Sequence, residues 1–172
     1  MARALTDFRG GRIYLDTNVL VGLIDADSIY HSACEAFFQR TLDPAQPIQL
    51  VTCTPTIDEV VFVLLQELVA KPPHNVSRSR SQYLQDHPEV VKTLMGQLNP
   101  LIEALLDLVV FEPVTFADVQ EMRQEMLSTG ILPRDAIHLA VMRRLRLTAI
   151  ASDDKGFDSY QDQGIMVFTP EP

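Results

Sequence analysis

Two rhythms of apolar and polar positions alternate along this chain. In "GRIYLDTNVL" a short apolar run, Arg12 to Leu15, stops at Asp16 and reads as a strand. "SIYHSACEAFFQRTL" places Ile29, Ala33, Ala36 and Phe37 at helical spacing, and Pro44 and Pro47 end that segment. "IQLVTCTP" is rich in β-formers and reads as a second strand. In "TPTIDEVVFVLLQELVAK", Ile57, Val60, Val61, Leu64, Leu65 and Leu68 form one helical stripe, with Thr56 and Glu59 at capping-box spacing. Residues 60–65 of this helix are apolar almost all round, which predicts deep burial or a protein interface.

"KPPHNVSRSRSQYLQDHP" is the most loop-like stretch, polar and opened by two prolines. A helical pattern over about 89–107 follows, with a predicted break at Asn99-Pro100. "LVVFEPVT" is a third strand, "FADVQEMRQEML" a helix, and Gly130 separates it from a further helix, "LPRDAIHLAVMRRLRL". "TAIAS" is a fourth strand, "FDSYQ" a short helical turn and "IMVFTP" a last strand. There is no internal repeat. Strands alternating with helices predict one α/β domain over 1–172, layered on a mainly parallel sheet.

Composition narrows the classes. A length of 172 residues and 47% hydrophobic content fit one globular domain with a substantial core. The longest apolar run, "VVFVLL", falls far short of the ~18 residues that would span a membrane. "MARALTDFRGGR" lacks the apolar stretch of a signal peptide, and two cysteines, Cys34 and Cys53, imply no disulfide framework. The expected location is therefore the cytoplasm. A net charge of −9 argues against diffuse binding to nucleic acid, but not against an enzyme whose carboxylates hold cations. Basic residues fall in two groups, Lys71, Arg78 and Arg80, then Arg143, Arg144 and Arg146, and both read first as solvated surface.

The acidic residues change the picture more. In an open parallel sheet, the carboxyl ends of the strands open onto one crevice. Asp16 follows the first strand, and Asp153 and Asp154 follow the fourth. Glu59 is expected in the first turn of the helix after the second strand, and Asp135 in the first turn of another, just after Pro133. Each has a local explanation: a capping box for Glu59, the helix dipole for Asp135, a turn cap for Asp154, an Asx turn for Asp16. Together they form a set able to converge, and converging carboxylates repel unless a cation neutralises them. Hard divalent ions, Mg²⁺ or Mn²⁺, suit an all-oxygen site, whereas the four histidines lack paired zinc-ligand spacing. His138, three residues after Asp135, reads as a supporting or packing residue. With no glycine-rich nucleotide fingerprint, hydrolysis of a phosphoester is favoured over transfer from ATP.

"IYLDTNVLV", "TPTIDEVVFVL", "LPRDAIHLAVMRRL" and "AIASDDKGFD", in that order, resemble the motifs of PIN-domain nucleases, and among these the ribonuclease toxins of VapBC toxin–antitoxin systems. The resemblance spans 16–157. It implies a three-layer α/β/α fold and Mg²⁺- or Mn²⁺-dependent cleavage of single-stranded RNA. The catalytic acids it implies are Asp16, Glu59, Asp135 and Asp154, with Asp16, Asp135 and Asp154 as metal ligands. Asn18, Ser152 and Asp153 would support them. It also implies an antitoxin that blocks the acidic pocket with a basic side chain. The segment at about 71–99 is longer than in compact toxin members. It could be a lid, an RNA guide through Arg78 and Arg80, a partner-binding insertion or a loop without a role. The apolar face of the 57–68 helix is open to a homodimer contact, an antitoxin contact or ordinary core packing.

Two rivals remain open. A catalytically weak PIN-like binding module is the first, although such modules have lost acidic residues and all four acidic positions are present here. A haloacid-dehalogenase-like phosphatase is the second. It needs a second aspartate two residues after Asp16, where Asn18 stands, and a lysine shortly before the late aspartates; none suits.

Overall fold

The computed structural model describes residues 2–171. Six parallel strands form one sheet in the order β1-β6-β5-β2-β3-β4: β1 (Arg3–Ala4), β2 (Gly11–Leu15), β3 (Ile48–Cys53), β4 (Val110–Glu112), β5 (Ala149–Ala151) and β6 (Met166–Thr169). The helices are α1 (Thr17–Ile24), α2 (His31–Thr41), α3 (Thr54–Ala70), α4 (Arg80–Asp86), α5 (Pro88–Leu108), α6 (Phe116–Thr129) and α7 (Pro133–Arg144). Side chains alternate across a strand, so β2 sends Ile13 and Leu15 to one face and Tyr14 to the other. The first face packs with Leu20, Phe37, Val60, Leu64, Leu98 and Leu105, from α1, α2, α3 and α5. The second packs with Leu139 and Met142 of α7 and with Phe157 and Tyr160 of a 3₁₀ stretch, Lys155–Gln163. The result is the expected three-layer α/β/α domain.

β2 sits at the centre, with Tyr14 in register with Val51 of β3 on one side and Ile150 of β5 on the other. The chain leaves β2 towards β3 and β4 and returns later to place β5 on its opposite side, so the strand order reverses beside β2. That reversal opens a crevice at the carboxyl ends of β2 and β5.

Several expectations are corrected. Pro100 does not break the helix: α5 runs unbroken from Pro88 to Leu108. The buried stripe Leu94, Leu98, Ile102 and Leu105 continues across the proline, while the exposed Gly96 can offer its carbonyl, deprived of the Pro100 N–H, to water. The polar stretch after Lys71 is not loop throughout, because α4 forms within it; buried Leu84 anchors the helix, and Tyr83 stacks on His87 at 4.1 Å. With Leu84, Leu94 and Leu98 all in the main core, much of 71–99 is packed into the fold. In α2 the buried face is Cys34, Phe37 and Phe38, while Ala36 and Ile29 are exposed and Ile29 precedes the helix. β1 and α1 had no predicted counterpart.

The basic groups are also less free than their sequence suggested. Arg143 pairs with Glu121 and Glu125, and Arg144 with Asp118 and Glu112. Lys71 bridges Asp25 and Asp27. Val60, Leu64 and Leu65 of α3 lie in the chain's own core, leaving Phe62 exposed on that helix. No described helix is long and apolar enough to cross a membrane.

Candidate active site

Asp16 follows β2 directly and caps α1, its Oδ1 accepting the Thr17 N–H at 2.7 Å. Its Oδ2 accepts from Ser152 Oγ at 2.6 Å and from Asn18 Nδ2 at 3.0 Å. Three donors thus fix a carboxylate that is only 8% exposed. Ser152 directly follows β5, so its bond to Asp16 ties the ends of β2 and β5 together, and its Oγ also accepts the Asp154 N–H at 3.0 Å. Asp154 caps the 3₁₀ stretch through Gly156 N–H at 2.7 Å, and its side chain reaches the same cavity. A Cβ on Gly156 would stand 3.1 Å from Asp154 Oδ1 and 3.4 Å from Asp135 Oδ2, so this glycine lets the two carboxylates approach.

Asp135 enters from the first turn of α7, where Pro133 occupies the first helical position. Burial raises its pKa above the usual carboxylate value, and the charges of Asp154 and Asp16 raise it further. Glu59 arrives from α3, but not from its first turn and without a capping box. The helix starts at Thr54, and Thr56 instead turns inward to accept a 2.8 Å hydrogen bond from Thr52 Oγ1. One turn further along, Glu59 faces the cavity and pairs with Arg134.

Asp16, Asn18, Glu59, Asp135 and Asp154 therefore line one cavity of about 700 Å³. Asp153 does not line it; its backbone N–H donates to Asn18 Oδ1 at 3.4 Å, and its carboxylate lies against Tyr30, whose phenol pKa it raises. Arg78 and Arg80 do not line it either: Arg78 is exposed, and Arg80 holds Glu67 at 3.0 Å. The local roles and the shared site are compatible, since three of the four acids also cap or complement a helix end.

Among the described residues no three of these side chains close into a ready-made ion cage. The donor set nevertheless fits a hard divalent ion. It is all oxygen, and Asp135 carries a repulsion from Asp154 and Asp16 that a cation would relieve. Asp16, Asp135 and Asp154 could hold it.

Two features were missed in the sequence. Arg134 was hidden by its neighbour Asp135, although a basic residue beside an acid at a helix start was a usable signal. The second lies beneath Asp16, where His138 Nδ1 meets Tyr14 OH at 2.7 Å and Cys53 Sγ at 3.6 Å. His138 Nε2 has no hydrogen-bond partner among the described residues and stands 3.9 Å from Asp16 Oδ1. His138 is thus buried beneath Asp16, and burial keeps the Tyr14 phenol protonated by pushing its pKa well up.

A parallel α/β domain with separate acidic residues gathered at the carboxyl edge of its sheet is the architecture of a carboxylate-site α/β protein. The sequence profile of the PIN domain matches residues 13–163, and the chain belongs to that family. Solved structures share the fold. VapC20 of Mycobacterium tuberculosis, a sarcin–ricin loop cleaving toxin, is 16% identical with a TM-score of 0.54 over 86% of this chain and 93% of its own. A toxin–antitoxin complex from Klebsiella pneumoniae is 17% identical with a TM-score of 0.51, over 92% and 98% respectively. VapBC2 from Rickettsia felis, bound to a DNA fragment from its promoter, is 11% identical with a TM-score of 0.50, over 94% and 100%. No curated protein matches the chain in sequence.

Proposed function

We propose that this chain is a divalent-metal-dependent endoribonuclease that hydrolyses RNA phosphodiester bonds as the toxin of a toxin–antitoxin pair. The observation that carries the reading is the meeting of Asp16, Glu59, Asp135 and Asp154, from four separate segments of a PIN domain, on one cavity. Mg²⁺ or Mn²⁺ held by Asp16, Asp135 and Asp154 would neutralise non-bridging phosphate oxygens and ease deprotonation of water. Ser152 and Asn18 hold Asp16 in one orientation, so its free lone pairs are directed before substrate arrives. Glu59 and Asp135 are the carboxylates available to orient the attacking water. No side chain forms a covalent intermediate, in contrast to an aspartyl-phosphate phosphatase.

The partner reading rests on the toxin–antitoxin complex among the structural relatives and on the acidic cavity, which suits a basic side chain of an antitoxin. A homodimer contact through α3 would have the exposed Phe62 to build on.

The test is cleavage of defined single-stranded and structured RNAs in Mg²⁺, Mn²⁺ and EDTA, with Asp135→Asn as control. Cuts that need metal and vanish in the variant are expected. Thermal stabilisation by metal that Asp16→Asn abolishes, with no RNA cut, would instead favour a binding module.

A further inference from the structure

Arg134 is the single cation among the described residues lining a cavity that carries four carboxylates. It precedes Asp135 on the first turn of α7, and successive helical residues point about 100° apart. Asp135 therefore faces the Asp16 and Asp154 side while Arg134 reaches across to Glu59 of α3. The Arg134 side chain is 67% exposed, whereas Glu59 is 16% exposed, so the guanidinium covers the glutamate from the solvent side. Arg134 is the one positively charged side chain among these lining residues that an RNA phosphate would meet.

We propose that Arg134 is a substrate-binding residue that exchanges partners, holding Glu59 while the cavity is free of RNA and passing to an RNA phosphate when a strand enters. The inference rests on the ribonuclease reading and deepens it. A guanidinium offers a planar fork of donors that matches two phosphate oxygens, and a phosphodiester supplies the negative charge that Glu59 supplies in the free protein. An ion pair with so exposed a partner is weak and readily exchanged. The exchange also uncovers Glu59 only when substrate is present, which couples completion of the acidic site to RNA binding.

The two halves of the exchange predict opposite effects, which a merely structural role would not produce. Wild type, Arg134→Ala, Arg134→Lys and Glu59→Gln are compared in two assays. These are cleavage kinetics on a randomised single-stranded RNA pool with Mn²⁺, and Mn²⁺ affinity of the RNA-free protein by electron paramagnetic resonance. Arg134→Ala should raise KM about tenfold, the scale of a lost charge-assisted contact, yet tighten Mn²⁺ binding because the acidic cavity loses the cation beside Asp135 and Glu59 is left unpaired. Arg134→Lys should recover part of the KM, and Glu59→Gln should lower kcat and KM together. If wild type cleaves but Arg134→Ala leaves KM unchanged, or Mn²⁺ affinity fails to rise, the exchange is overturned alone. A wild type without metal-dependent cleavage overturns the ribonuclease reading and the exchange with it.

Discussion

Asp135 is placed against the interest of the fold's stability. Burial and two neighbouring carboxylates raise its folded pKa, so ionisation is harder in the native state than in the unfolded chain. The contribution of a group with a raised pKa is complete below the unfolded value and is lost as pH rises through the folded one. Above its unfolded pKa, Asp135 is therefore a liability in metal-free protein. Asp135→Asn should abolish cleavage while raising Tm in EDTA at pH 7, by about 2–4 °C for each kcal/mol of relieved repulsion. Thermal melts of both proteins check it, and the gain should shrink as pH is lowered towards the raised pKa. Added Mg²⁺ should stabilise wild type and have little effect on the variant.

At the scale of elements, the end of α7 is as informative as its start. The capping box of this chain is not at Thr56 and Glu59 but at Thr115 and Asp118, which open α6. Asp118 accepts from Thr115 N and Thr115 Oγ1 at 2.7 Å each and from Arg144 Nε at 2.9 Å. Burial alone would raise its pKa, but these donors hold it below the usual value. A lowered pKa contributes stability above the unfolded value, near 4, that is lost as pH falls through the folded one. Asp118→Asn should cost about 1–3 kcal/mol at pH 7 in urea unfolding, and less as the pH falls below about 4. Because the bond joins α6 to the last turn of α7, whose first turn carries Arg134 and Asp135, cleavage should weaken with it. α5 makes the complementary point. Its buried stripe outweighs one proline, and Leu98→Ala should cost about 2–5 kcal/mol in the same assay by opening a cavity in the main core.

For the whole molecule, charge and topology act together. A net charge of −9 opposes the approach of RNA, and Lys71, Arg80, Arg143 and Arg144 are all paired to acids. RNA binding should accordingly be weakly salt-dependent, with a slope of about −0.7 to −1.4 in a plot of log K against log salt, the value for one or two phosphate contacts on a single strand. Fluorescence anisotropy with Asp135→Asn across a salt series measures it, and a steep slope would contradict recognition centred on Arg134. A basic partner gains from the same field, which steers cations towards the cavity.

Much of this protein was set locally and could be read in order along the chain. β2 ends where a charge follows an apolar run, at Leu15 and Asp16, because a charged residue is costly to carry on into a buried strand. Pro133 sets the start of α7 because its ring fits the first helical position and lacks only an N–H that has no partner there. The four acids were therefore legible with the segments that carry them. What required the folded chain was every choice between equally good local partners. Thr56 could cap Glu59 or turn towards Thr52, Pro100 could end a helix or be carried through it, and Arg80 could face RNA or Glu67. Such alternatives are close in local free energy, and only packing across the sheet separates them. The meeting of Arg134 with Glu59, 75 residues apart in sequence, was decided in the same way: α3 and α7 present their side chains to one crevice where the strand order reverses beside β2.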